Sequence, residues 1–501
     1  MTKIGFDSNK YIEEQTKYIL ERVKNSEGRL YIECGGKLLY DLHASRVLPG
    51  FDPNNKMKVL QALKDHLDII LCIYAGDIEK RKIRGDFGIS YDADVFKTID
   101  DFASYGIECN KVVITRFDNQ PAACQFKDKL ERRGINVYTH SATPGYPANI
   151  DLVVSDLGYG KNEYIPVTAP VVVVNAPGPN SGKLATCLNQ MYHEAKMGEK
   201  PSYAKLETFP IWNLPLDHPV NIAYEAATVD LADNNMIDHF HLQAYNQIAV
   251  NYNRDIEAFP LLVKTLEKIS GEESIYKSPT DMGVNRCGFG ITDNEVCAEA
   301  GRQEIIRRYY KTLTDYASGL CDEDTVNRMI SILDKAKLTP EDRHVVRPAE
   351  EALEKAIAEG KGKDGTVCAA ALELPDGKIA TGHNSEVFHA SSALLLNALK
   401  ILAGIPKDVD LINKNVIENI LIMKRDILAG KGVSLNLDET LIALAMSAAE
   451  DKNAKKAMEA LPLLKGSEVH LTHIPSPGDS KGLRKLGLQF TSDPKYPARN
   501  L

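Results

Sequence analysis

No apolar run in this 501-residue chain approaches the roughly 20 residues that a membrane-spanning helix needs. The amino-terminal stretch, with charged and apolar positions interleaved as in an amphipathic helix, has no apolar signal core. Cysteine is sparse and scattered. The nine residues are odd in number and never spaced C-x-x-C, which speaks against a disulfide frame or a structural zinc site and for reduced thiols in a cytoplasm. A basic surplus is missing too: the net charge of −9 leaves nothing to displace counterions from a nucleic-acid backbone, although a local basic pocket stays open. Tryptophan occurs once, at Trp212. These absences predict a cytoplasmic protein with neither nucleic acid nor a membrane as partner.

What is present is a well-packed globular composition, 44% hydrophobic and 26% charged, long enough for several domains. Helical patterns over 11–24, 54–66 and 93–104, and one opened by Pro121, alternate with short apolar runs. Those runs, at 29–33, 67–74, 111–115, 135–139, 151–155 and 170–174, read as buried strands. Alternation of this kind predicts an α/β fold whose amino-terminal part is a mostly parallel, Rossmann-like or P-loop-like sheet. In such sheets ligands sit beyond the carboxyl ends of the strands. The loops expected to share one crevice are therefore those at Gly35-Gly36-Lys37, Ala75-Gly76-Asp77, Thr115-Arg116, Asp156 and 177–183.

The last of these carries the strongest chemical signal. Four valines, Val171 to Val174, run into Asn-Ala-Pro-Gly-Pro-Asn-Ser-Gly, and Lys183 then opens an amphipathic helix. Strand, glycine-containing turn and lysine at a helix start form an arrangement that cradles phosphate with free N–H groups, a helix dipole and a full positive charge. Gly178, Asn180, Ser181, Gly182, Lys183 and Thr186 are the residues expected to hold the anion. The turn is a degenerate version of G-x-x-x-x-G-K-[ST]. Pro177 replaces the first glycine, Leu184 replaces the magnesium-binding hydroxyl, and Pro177 and Pro179 lack N–H donors. A tight turn with a surface lysine is the structural alternative. Arg116 is expected to orient the phosphate, or else to form an ordinary surface ion pair. Asp156, read as ending a strand, is a candidate magnesium ligand or else a capping residue.

Further on, the stretch 217–255 concentrates polar groups within apolar spacing, among them Glu225, Asp233, Asp238, His239 and His241. Asp233, Asp238 and His239 join Asp156 as candidate metal ligands, with capping and solvated helix faces as the alternative. His239 and His241 share a face only if the backbone is extended. Cys287, beside Arg286, is a weaker candidate nucleophile. The region 217–357 reads as a helical insertion, and the glycine-rich 359–365 segment as a linker, giving domains 1–360 and 361–501.

Beyond that linker, a hairpin about Pro375-Asp376-Gly377, the helix after it and the 475–490 stretch resemble the cytidine-deaminase-like fold in order of elements. The zinc chemistry of that fold needs H/C-x-E and P-C-x-x-C. Here His389-Ala390-Ser391 and Pro475-Ser476-Pro477-Gly478 stand instead, so a zinc-less version is expected. End to end the chain resembles a family of bacterial cytosolic proteins known as domain of unknown function 1846. The resemblance rests on Gly5-Phe6-Asp7 and on the stretches 41–51, 115–117, 175–186, 224–235 and 278–288. It implies an amino-terminal α/β portion and a smaller carboxyl-terminal portion.

Two functional classes follow. One is an enzyme acting on a small phosphorylated metabolite or nucleotide by phosphoryl transfer or ATP-dependent ligation. In it Lys183, Arg116 and Asp233 are catalytic, and Mg and a nucleotide are the expected cofactors. The other is a non-catalytic metabolite-binding or scaffold protein. A homo-oligomer is expected in either case.

Overall fold

The computed structural model describes residues 3–84, 88–430 and 432–497. Two compact units emerge, one built from 4–225 and 233–300, the other from 226–232 and 301–501.

The first unit is organised by a six-stranded sheet. Its strands are β1 (Leu30–Cys34), β2 (Leu67–Tyr74), β3 (Lys111–Thr115), β4 (Asn136–His140), β5 (Val171–Asn175) and β6 (Ser202–Leu206), in spatial order β4-β3-β2-β5-β1-β6. Every pairing is parallel. The chain runs outward from β2 to β3 and β4, then returns to place β5 on the other side of β2. The order therefore reverses between β2 and β5, and the crevice at such a reversal is where open α/β sheets receive ligands. All five residues of β5 are buried, as a central strand covered on both faces requires. One face is covered by the helix Lys183–Lys196, whose Cys187, Leu188 and Met191 pack on Tyr31, Val172, Val174 and Tyr203.

Two elements differ from the sequence expectation. The 151–155 run is not a strand. Asn149 caps a short helix, Ile150–Val153, by accepting from the Leu152 N–H at 3.0 Å, and the chain crosses back to the sheet centre without adding a strand. Conversely, Ser202–Leu206 is an edge strand beside β1, although its Ser and Lys obscure the apolar pattern. The 217–255 stretch contributes an antiparallel pair, Asn235–Ile237 with Val250–Tyr252, as well as helices.

The second unit contains a smaller mixed sheet. The hairpin β7 (Ala369–Glu373) and β8 (Ile379–His383) lies beside β9 (Glu468–Leu471) and β10 (Gln489–Ser492), in order β8-β7-β9-β10. β7 is antiparallel to both neighbours, and β9 and β10 are parallel. The helix Ala390–Ala403 supplies much of its core through Leu394, Leu395 and Leu399.

Candidate functional site

The loop joining β5 to the helix Lys183–Lys196 lies at the reversal point of the sheet. Its conformation is forced at two positions. Asn180 and Gly182 adopt φ of 58° and 92°, and a Cβ at Gly182 would lie 2.8 Å from the Thr115 methyl group. A Cβ at Gly178 would lie 2.4 Å from the Tyr91 hydroxyl, so the loop can approach that ring only as glycine.

The hydrogen bonds of the loop are one-sided. Three of its carbonyls are used by side chains: Ser181 Oγ donates to the Gly178 carbonyl at 3.0 Å, Thr115 Oγ1 to that of Ser181 at 2.8 Å, and Arg116 to that of Asn180. The Thr186 N–H closes on the Gly182 carbonyl at 2.9 Å. No described residue accepts from the N–H groups of Gly178, Asn180, Ser181 or Gly182. The loop therefore presents donors, and the dipole of a 14-residue helix starting at Lys183 adds positive potential. The Lys183 ammonium makes no hydrogen bond or ion pair with any described residue. Lys183 opens the helix that follows β5, the strand lying between β1 and β2.

Arg116 stands at the same edge. It has φ of 50°, and its guanidinium stacks on the Tyr74 ring with the central carbon 3.5 Å from the ring centroid. It is thus committed to a ring and to a loop carbonyl, a brace for the loop with one face turned to solvent. Thr186 is buried and accepts from the Cys72 thiol at 3.3 Å, so its hydroxyl faces the sheet instead of the loop mouth.

The expected metal ligands do not converge. Among the described residues no group of three or more His, Cys, Asp or Glu has metal-holding geometry. Asp156 follows a short helix, not a strand. It accepts from Tyr192 at 2.6 Å and pairs with Lys196 at 3.5 Å, about 14 Å or more along the helix axis from Lys183. Asp233 is buried and clamped by Arg254, whose Nε and NH2 lie 2.6 and 2.8 Å from its two oxygens. Asp238 is buried and caps the helix His239–Tyr245, taking the His241 N–H at 3.0 Å and both the N–H and hydroxyl of Thr280 at 3.1 and 2.6 Å. His239 and His241 sit on that helix and diverge: His239 is exposed, while His241 is buried with Nδ1 2.9 Å from Ser278 Oγ. Cys287 is buried, burial pushes its thiol up, and Arg286 stacks on Tyr18 instead of activating it.

The crevice has members that the sequence reading did not single out. Lys56, 2% exposed, donates to the Gly35 carbonyl at 3.1 Å and lies 3.8 Å from Asp41. Glu207 follows β6 directly. Burial, reinforced by Asp255 and Glu33 against the pull of Lys205, pushes its carboxyl up to about 7. The signal for Glu207 was its position after a strand, which the unrecognised β6 concealed.

Against known proteins, the amino-terminal model of the family described as domain of unknown function DUF1846 matches residues 4–337, and the carboxyl-terminal model of the same family matches residues 341–501. The chain belongs to this family. Members similar to it include a UPF0371 protein of Clostridium tetani (strain Massachusetts / E88), 56% identical over 499 residues that cover 100% of this chain and 99% of that protein. A UPF0371 protein of Clostridium botulinum (strain Langeland / NCTC 10281 / Type F) matches with the same identity and coverage. One from Clostridioides difficile (strain 630) is 55% identical over 499 residues, again 100% and 99% of the two chains. The family resemblance carried by the 175–186 stretch and its companions is thus shown over the full length. Among the described residues no helix is long and apolar enough to cross a membrane.

Proposed function

We propose that the 176–183 loop holds the phosphate group of a small phosphorylated metabolite or nucleotide. One observation carries this reading: the Gly178, Ser181 and Asn180 carbonyls are turned onto Ser181, Thr115 and Arg116, while the N–H groups of Gly178, Asn180, Ser181 and Gly182 and the Lys183 ammonium have no acceptor among the described residues. A surface turn built for structure alone has no reason to sort its donors from its acceptors in this way. Magnesium-dependent phosphoryl transfer has less support than binding. Leu184 stands in the hydroxyl position, Thr186 faces inward, and Asp233 and Asp238 are spent on Arg254 and on capping.

For the carboxyl-terminal unit we infer a zinc-less relative of the cytidine-deaminase-like fold. The hairpin, the following helix and the parallel β9–β10 pair come in the expected order. Asp479 accepts from His389 Nδ1 at 2.7 Å, Ser391 Oγ at 2.5 Å and the Leu437 N–H at 2.9 Å, so these side chains are bonded to one another.

A thermal-shift screen of the full chain with inorganic phosphate, sugar phosphates and nucleotides tests the first reading, since a ligand bound only by the native state raises its stability. Phosphate esters are expected to raise Tm where their unphosphorylated counterparts do not. Equal responses from the two sets would remove the loop as a phosphate site.

A further inference from the structure

The strands β5, β1 and β6 run side by side and end level. Glu33 pairs with Val174 on one side and Lys205 on the other, and Cys34 pairs with Leu206. Residues two apart share a face, so Glu33, Gly35, Lys205 and Glu207 lie on the face covered by the helix that Lys183 opens, together with Tyr31 and Tyr203. At about 4.8 Å between neighbours, two strand spacings put the Glu207 backbone about 10 Å from the start of the 176–183 loop, with the end of β1 between them. The Glu207 side chain leans inward over that end. Glu207 fills the space that Gly35 leaves, since a Cβ there would lie 2.3 Å from its Oε1.

The Glu207 carboxylate is held but not used up. Its own N–H donates to Asn285 Oδ1 at 2.7 Å, which fixes the backbone. Lys205 Nζ lies 3.2 Å from Oε1 but is shared with Asp255 at 2.6 Å, and no other described residue donates to the carboxylate. Glu33 is engaged separately by the Tyr203 hydroxyl at 2.7 Å. Three carboxylates therefore face the Lys205 ammonium, while the nearby Lys56 has its own carboxylate in Asp41, and this end of the crevice favours a hydrogen-bond donor that carries or tolerates positive charge. The opposite end, at the loop and Lys183, favours an anion.

We propose that Glu207 is the second anchor of the crevice, accepting a hydrogen bond from an ammonium or hydroxyl group of a ligand whose phosphate rests on the 176–183 loop. The ligand class is then a short phosphorylated amine or alcohol, an inference that rests on the phosphate reading above. The carboxyl's position near neutrality supports it, because binding an ammonium would be coupled to loss of the Glu207 proton.

The test is calorimetric titration at pH 8 with ethyl phosphate, which has no donor, O-phosphoethanolamine and glycerol phosphate. It uses wild type, Lys183→Ala, Glu207→Ala and Gly35→Ala, each checked by circular dichroism. Gly35→Ala displaces the carboxylate without removing it, and serves if Glu207→Ala does not fold. In wild type one of the two donor-bearing esters is expected to bind roughly tenfold or more tighter than ethyl phosphate, the scale of a hydrogen bond to a charged group. Which ester it is separates the ammonium from the hydroxyl. Glu207→Ala and Gly35→Ala should bring that ester level with ethyl phosphate and leave ethyl phosphate unchanged. Absence of a preference in wild type, or its survival in both variants, overturns the role of Glu207, while weaker ethyl phosphate binding by Lys183→Ala would still uphold the loop. If ethyl phosphate binds wild type and Lys183→Ala equally, or neither, the loop reading falls and this inference falls with it.

Discussion

Lys183 occupies the first turn of a helix, where the macrodipole disfavours a cation unless an anion is bound. With no acceptor among the described residues for its ammonium to lose, Lys183→Ala should change folding stability by no more than about 0.5 kcal/mol, measured by urea denaturation. Its affinity for a phosphate ester should fall by about 1.5–3 kcal/mol. Gly182→Val should act on both, because φ of 92° and the Thr115 side chain leave no place for a branched residue. Glu207 gives a different kind of prediction. Its carboxyl lies near 4.5 when exposed and is raised to about 7 in the fold, chiefly by burial. The native state therefore holds its proton more tightly, and this residue costs stability progressively as pH rises from about 4.5 to 7. The stability difference between Glu207→Gln and wild type should grow in the variant's favour across that window and level off above it. A difference flat with pH would show that the carboxyl is not raised. Lys183 was legible from the sequence because residue type and spacing alone announce it. Glu207 was not, because an isolated Glu becomes unusual only once burial and three-dimensional neighbours set its proton affinity.

At the scale of the element, apolar runs were a good guide where strands are central and a poor one at the sheet margins. β5 and β2 are buried runs whose type follows from composition. The 151–155 run has the same composition, yet Asn149 and its capping bond turn it into a helix, and a local side-chain acceptor outweighs β propensity. The polar 233–241 stretch shows the converse. Its carboxylates read as metal ligands, whereas Asp238 ties the helix His239–Tyr245 to the helix Pro279–Met282 through Thr280. Asp238→Ala removes a helix cap and leaves the Thr280 hydroxyl without its acceptor. The expected cost is about 1–3 kcal/mol by chemical denaturation. Phosphate-ester affinity should stay within twofold of wild type, roughly the error of such a titration. A large loss of affinity at unchanged stability would instead return Asp238 to the binding site.

The sorting of the chain into a parallel-sheet unit and a mixed-sheet unit follows from the two patterns of alternation, and the proposed phosphate site belongs to the first. The reversal of strand order between β2 and β5 decides where the crevice lies, and strand order is non-local information that no window of sequence contains. The segment 359–365 shows how composition and packing combine. Gly360, Gly362 and Gly365 all have positive φ, and residues 357–361 are exposed, so the backbone there is open to a protease. The helix Val346–Ala358 just before it packs against the mixed sheet, with Val345 and Ala349 on Ala371. Arg343, wholly buried, donates to the Gln489 carbonyl at 2.8 Å and pairs with Glu468 at 2.6 Å. Limited proteolysis of the native protein should therefore cut first at 359–365, separating residues 1–360 from 361–501 on a denaturing gel. The two fragments should still elute together under native conditions, because the cut leaves the Val345, Ala349 and Arg343 contacts intact. Elution as separate folded fragments would place the domain division at 359–365, and a first cut within 31–200 would show that the parallel-sheet unit is the less stable of the two.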